Sequence, residues 1–186
     1  MRTLRLSVIA LIVGAIAFAC DPSPTAVESA GLLAARTTST NTSNRTPTGL
    51  VSCGQTYDSV TQVIGPRGGY VAVGPHYLFV DSLVLSAPVS ITAVAPTATV
   101  RWVRFKPNGL LFPTNPRDGW GALIYTNYTN CSVPTAATLQ IAQVSDSLGI
   151  LAYLQTVSKT NKNPWSKATQ YVAALLPHFS NYAVAW

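Results

Sequence analysis

Val89-Ser90-Ile91-Thr92-Ala93-Val94 sets polar Ser90 and Thr92 between apolar Val89, Ile91 and Ala93. This period of two puts alternate side chains on opposite faces of an extended chain, as in a half-buried β-strand. Working outward, similar runs are Ser59–Ile64, Tyr70–Val73, Tyr77–Val80, Val100–Phe105 and Ala122–Tyr128, followed by Thr138–Val144, Ile150–Val157, Thr169–Leu175 and Phe179–Trp186. Turn-forming clusters separate them, among them Gly65-Pro66-Arg67-Gly68-Gly69, Lys106-Pro107-Asn108-Gly109 and Asn161-Lys162-Asn163-Pro164. Ser145-Asp146-Ser147-Leu148-Gly149 reads as a hairpin turn. No long segment carries a helical 3.6 period. About ten strands at near-regular spacing predict an all-β fold, an antiparallel β-sandwich over residues 51–186.

The N-terminal end has a different texture. Arg2 and Arg5 precede an apolar run from Leu6 to Phe18 that ends in Ala17-Phe18-Ala19-Cys20. A basic start, a short apolar stretch and small residues before a cleavage point describe an export leader. The run is shorter than the ~20 residues that cross a bilayer. Cys20 directly after the small residue predicts a bacterial lipoprotein signal over residues 1–19, with Cys20 acylated after cleavage. The membrane is then reached through the N-terminal lipid, and the location is the cell envelope, extracytoplasmic. An ordinary secretory leader cut after Ala19 is the alternative. From Cys20 to about Leu50 the chain is rich in Thr, Ser, Ala and Asn and poor in bulky residues. Such a composition cannot bury enough apolar surface to fold, and it predicts a disordered tether.

Charge and cysteine usage narrow the function classes. The formal charge is +6, two units of which leave with the leader, and charged residues make up only 10% of the chain. A nucleic-acid binder concentrates basic residues on one face. Arg101, Arg104 and Lys106 instead fall on alternate sides of one strand, so no nucleic-acid partner is expected. With Cys20 committed to lipid, Cys53 and Cys131 remain as one possible disulfide in an oxidising compartment. The two histidines, His76 and His178, and the absence of any Cys-x-x-Cys leave no metal-ligand spacing. No cofactor is implied.

The strand order, with three landmarks, resembles a ZU-type domain, the β-sandwich module of netrin receptors, ankyrins and tight-junction scaffolds, which also has a bacterial exported branch. The landmarks are Ile64-Gly65-Pro66-Arg67-Gly68-Gly69, Val103-Arg104-Phe105-Lys106-Pro107-Asn108-Gly109-Leu110 and His178-Phe179-Ser180-Asn181-Tyr182-Ala183-Val184-Ala185-Trp186. The resemblance covers roughly Asp58 to Trp186. Where the family tends to have a Pro and a Gly-Ala after the third strand, this chain reads Val80-Asp81-Ser82-Leu83-Val84-Leu85.

The resemblance also bears on chemistry. In some eukaryotic relatives His-Phe-Ser is a self-cleavage site, which implies Ser180 as nucleophile, His178 as base and the Phe179 carbonyl as the group attacked. Read from the residues alone, the same motif is the start of a last strand. Period two puts Ser180, Tyr182, Val184 and Trp186 on one face and Phe179, Ala183 and Ala185 on the other. Cleavage there would free a heptapeptide. The carboxylates Asp21, Glu28, Asp58, Asp81, Asp118 and Asp146 show no paired spacing, and no Gly-x-Ser-x-Gly elbow occurs. The expectation is a binding or structural module without turnover, with an unidentified envelope protein or glycan as partner. Self-cleavage is one alternative. Another is a carbohydrate or peptide binder using Trp120, Trp165, Tyr125 and Tyr128 in or beside loops.

Overall fold

The computed structural model describes residues 49–115, 117, 119–157, 163–165 and 169–186; the leader, Cys20 and the tether as far as residue 48 lie outside the described residues. Twelve strands follow in order: β1 (Ser52–Gln55), β2 (Asp58–Ile64), β3 (Gly69–Val73), β4 (His76–Val80), β5 (Val89–Ala95), β6 (Ala98–Val100), β7 (Trp102–Lys106), β8 (Ala122–Asn127), β9 (Gln140–Val144), β10 (Ile150–Tyr153), β11 (Tyr171–Leu176) and β12 (Asn181–Ala185). They form a six-stranded sheet in the order β10-β9-β12-β7-β5-β2, a four-stranded sheet β11-β8-β4-β3 and a short β1-β6 ribbon. All pairings are antiparallel. The fold is all-β and sandwich-like.

Alternation explains the core. In β5, Ile91, Ala93 and Ala95 are buried; in β3, Val71 and Val73; in β12, Tyr182 and Val184. The β5 and β12 residues meet Val71 and Val73, with Leu78, Val80, Ile124, Val172 and Leu176, of the opposite sheet in one cluster. Each large side chain so enclosed contributes about 1.5–3 kcal/mol. Phe105 and Phe179 stack within it at 5.2 Å, with Phe112 edge-on to Phe179 at 4.8 Å.

Several expected strands change partner part-way. The run Val100–Phe105 is interrupted at Arg101: β6 pairs with β1, whereas β7 joins β5 and β12. The run Ile150–Val157 crosses between sheets. Its first part pairs with β9, and then Thr156 bridges Ala174 of β11, with Val157 N–H donating to Ala173 O. The last strand begins at Asn181, so strict alternation back to Phe179 fails. Phe179 lies in the interior beside Tyr182, because its N–H and carbonyl pair with the loop at Leu110 and Gly109. Leu50, expected at the end of the tether, is buried and bridges Ala185.

Gly68 makes the β2–β3 connection possible. Its φ is +72°, and an added Cβ would lie 2.8 Å from the Asp81 carbonyl carbon, where no side chain fits. The expected hairpin is formed by Ser145 N–H donating to Gly149 O.

Cys53 and Cys131 form a disulfide with Cα atoms 4.6 Å apart, tying β1 to the segment after β8 across 78 residues. The loop-closure treatment assigns such a link about 4 kcal/mol. Reducing the bond, or replacing both cysteines by serine, is expected to lower the thermal midpoint by roughly 10 °C. Calorimetry of the oxidised and reduced protein checks this, and equal midpoints would contradict it.

Candidate functional site

His178, Phe179 and Ser180 sit where the loop after β7 meets the start of β12. Phe179 is fully enclosed, and its carbonyl accepts from Gly109 N–H at 2.9 Å. His178 Nδ1 lies 3.2 Å from that same carbonyl. The Ser180 hydroxyl accepts from Gln143 Nε2 at 3.2 Å, and the Ser180 carbonyl accepts from Phe105 N–H. Tyr182 donates its phenol to His178 O at 2.6 Å, and burial pushes that phenol above its ordinary pKa. The histidine is thus turned to the backbone carbonyl, while the serine is held by a neutral amide on β9. The motif is bonded on both sides of the Phe179–Ser180 peptide.

A second constellation lies on the outer face of the four-stranded sheet. Register places Tyr70 beside Phe79, Tyr77 beside Tyr125, and Tyr125 beside Ala173. Trp165 comes over this face from the segment after β10, its backbone N–H donating to Asn163 Oδ1 at 3.0 Å in an Asx turn. The rings form a continuous row: Tyr70–Tyr77 at 5.4 Å, Tyr77–Trp165 at 6.1 Å and Trp165–Tyr171 at 5.9 Å. Tyr125 is buried beneath Trp165, whereas Tyr77, Trp165 and Tyr171 are half-buried and Tyr70 is exposed. Burial and the neighbouring Tyr70 raise the Tyr77 pKa, which keeps its phenol neutral. Tyr171 also lines a hollow of about 560 Å³ shared with Tyr128 and Gln170.

No family model, no curated protein and no solved structure matches the chain.

Of the four aromatics expected to gather, Trp120, Trp165 and Tyr125 do so, while Tyr128 packs against the interior cluster. Tyr125 belongs to strand β8 and is not at a loop. The rings missed from sequence are Tyr70, Tyr77 and Tyr171. Each stands at an outward position, and following the alternation through β3, β4 and β11 would have located them.

The remaining polar groups serve the framework. Asp58 accepts from Ser59 and Gly74 N–H, and Asp81 from Ser82 N–H. Asp146 pairs with Arg104 at 2.9 Å and accepts from Asn181. Arg101 points the other way and donates to the Asn127 and Thr129 carbonyls. An apolar recess of about 320 Å³ opens between Phe112, Leu154, Leu176 and Pro177.

His76 is enclosed near the disulfide end. Gln55 Nε2 donates to the Pro96 and Trp102 carbonyls at 2.7 and 2.6 Å, so its Oε1 is the atom facing His76 Nε2 at 3.1 Å. Nε2 therefore carries the proton, and Nδ1 accepts from the Thr126 hydroxyl at 2.9 Å. Burial, reinforced by Arg101, lowers the His76 pKa from 6.5 to about 3. The unfolded chain binds the extra proton first, so stability is full above pH 6.5 and declines as pH falls toward 3. By about pH 4.5 the loss attributable to this residue is about 2–3 kcal/mol. Denaturation curves of His76→Gln should show a flatter pH dependence over this window than those of the native protein. An unchanged slope would mean that His76 is not held neutral.

Proposed function

We propose that this chain is a ZU-type β-sandwich module of the bacterial envelope, anchored by lipid at Cys20, that binds a neutral glycan through its aromatic sheet face without turnover. The observation that carries the binding reading is the row Tyr70–Tyr77–Trp165–Tyr171. Aromatic side chains with polar tips gain from covering an apolar ligand face while their hydroxyls bond its rim. The members of the cluster under this row are all uncharged, which suits a neutral ligand better than an ionic one. The disulfide is compatible with an extracytoplasmic location. No helix among the described residues is long and apolar enough to cross a membrane.

Titration with neutral oligosaccharides and with peptidoglycan fragments, followed by tryptophan fluorescence, tests the binding face. Trp165→Ala and Tyr70→Ala should each weaken binding about tenfold, the equivalent of 1.4 kcal/mol. Affinity unchanged in both variants would remove the aromatic face from the function.

The rival reading is self-cleavage at Phe179–Ser180, favoured by the convergence of Gly109 N–H and His178 Nδ1 on one carbonyl. The anchored binding module is preferred because Ser180 bonds Gln143. Intact-mass measurement on protein extracted from membranes separates the two. The expected species starts at an acylated Cys20 and runs through Trp186. A product ending at Phe179 would replace the binding reading with self-processing, and an unacylated start would remove the anchor.

A further inference from the structure

The two sheets present four edge strands, and the molecule treats them unequally. A sheet edge offers unpaired backbone donors and acceptors to any passing strand, so edges are normally bulged, charged or covered. β11 is covered by the segment Gln155–Val157, which hydrogen-bonds along it. β10 is bulged between Ile150 and Ala152. β3 is short, five residues opening on Gly69, and its exposed Tyr70 ring packs on Tyr77 and Phe79 of the outer face. β2 has none of these protections. Its seven residues pair with β5 in unbroken register from Asp58↔Ala95 to Ile64↔Val89. It contains no Pro, Lys or Arg, and the Asp58 carboxylate at its start is turned back onto Ser59 and Gly74 N–H. Ser59, Thr61, Gln62 and Val63 are exposed, Val63 at 63%.

We propose that β2 is the interface between two copies of this chain, paired antiparallel about a two-fold axis at Thr61, so that the two six-stranded sheets become one. The sequence of β2 is self-complementary in that register. Ser59 would face Val63 of the second copy, Val60 would face Gln62, and Thr61 would face Thr61, with no like charges opposed. A threonine pair of this kind already exists on the same sheet face, where Thr61 Oγ1 lies 2.8 Å from Thr92 Oγ1. Two-fold pairing also accounts for Tyr57, a large ring 66% exposed just before β2. The same register sets it opposite Gly65 of the other copy, where the missing side chain leaves room for the ring. An isologous contact of this type closes on itself and stops at two copies.

Sedimentation equilibrium of the detergent-solubilised full chain at about 1–100 µM tests the proposal, a range that spans weak to moderate self-association. A monomer–dimer equilibrium is expected, weakened at least tenfold by Val63→Lys with the thermal midpoint unchanged. Under oxidation, Thr61→Cys should yield a covalent dimer, whereas Ser147→Cys at the distant hairpin tip should not. A monomer throughout the range, or a dimer indifferent to Val63→Lys, would overturn the proposal. Equal cross-linking at both cysteine positions would overturn it as well.

Discussion

The insertion of β12 between β7 and β9 is the contact on which the rest of the fold depends. Asn181, Tyr182 and Ala183 pair with Arg104, Val103 and Trp102 on one side, and the strand pairs along its whole length with β9 on the other. Without it the six-stranded sheet would separate into a β10-β9 hairpin and a β7-β5-β2 group. Tyr182 and Val184 fill the space between the sheets, while Ala183 and Ala185 help form an apolar patch on the outer side with Trp102 and Leu50. The strand is therefore buried on both faces, which explains its small residues alternating with large ones. Because its neighbours lie far away in sequence, this pairing closes long loops, which makes folding slow by topology.

The two outer faces illustrate how one alternation rule leads to different chemistry. On the six-stranded sheet, Arg104 stacks over Trp102 at 5.4 Å and pairs with Asp146, so the surface is polar above a small apolar patch. On the four-stranded sheet the outward positions are mostly Tyr, Phe and Leu with two alanines, Ala72 and Ala173, and a surface loop brings Trp165 down to cover part of them. What remains open is a strip of ring edges and phenols. A surface of that kind favours ligands with flat apolar faces and hydroxyl rims over charged ones.

The strands were legible in the sequence wherever turn residues bounded a short alternating or apolar run. β2 through β5 and the β9–β10 hairpin lie close to where period two and the turn residues place them. Legibility failed where a segment changed partners, since periodicity records burial and says nothing about which neighbour does the burying. Arg101, Leu154 and Phe179 mark three such places. The disulfide followed from cysteine arithmetic and compartment. The aromatic row was only partly legible: Trp165 stands out beside a turn cluster, whereas Tyr70, Tyr77 and Tyr171 lie on strands, where outward parity alone marks them. The His76–Gln55–Thr126 chain is a product of tertiary folding, with partners 21 and 50 positions away.

Gly49 and Trp186 are joined across the sheet by Trp186 N–H donating to the Gly49 carbonyl, and Val51 N–H reaches Val184 O beside them. The chain thus enters the fold alongside the strand that completes it. Mechanical load arriving through the residues ahead of Gly49 passes first into backbone bonds with β12, at the centre of the larger sheet. Peeling would break these bonds one after another until the strain met the Cys53–Cys131 bridge just beyond. Past that covalent stop, further extension must come from disrupting the packed interior. A pull on the chain ahead of Gly49 therefore meets single backbone bonds first and a covalent bond second.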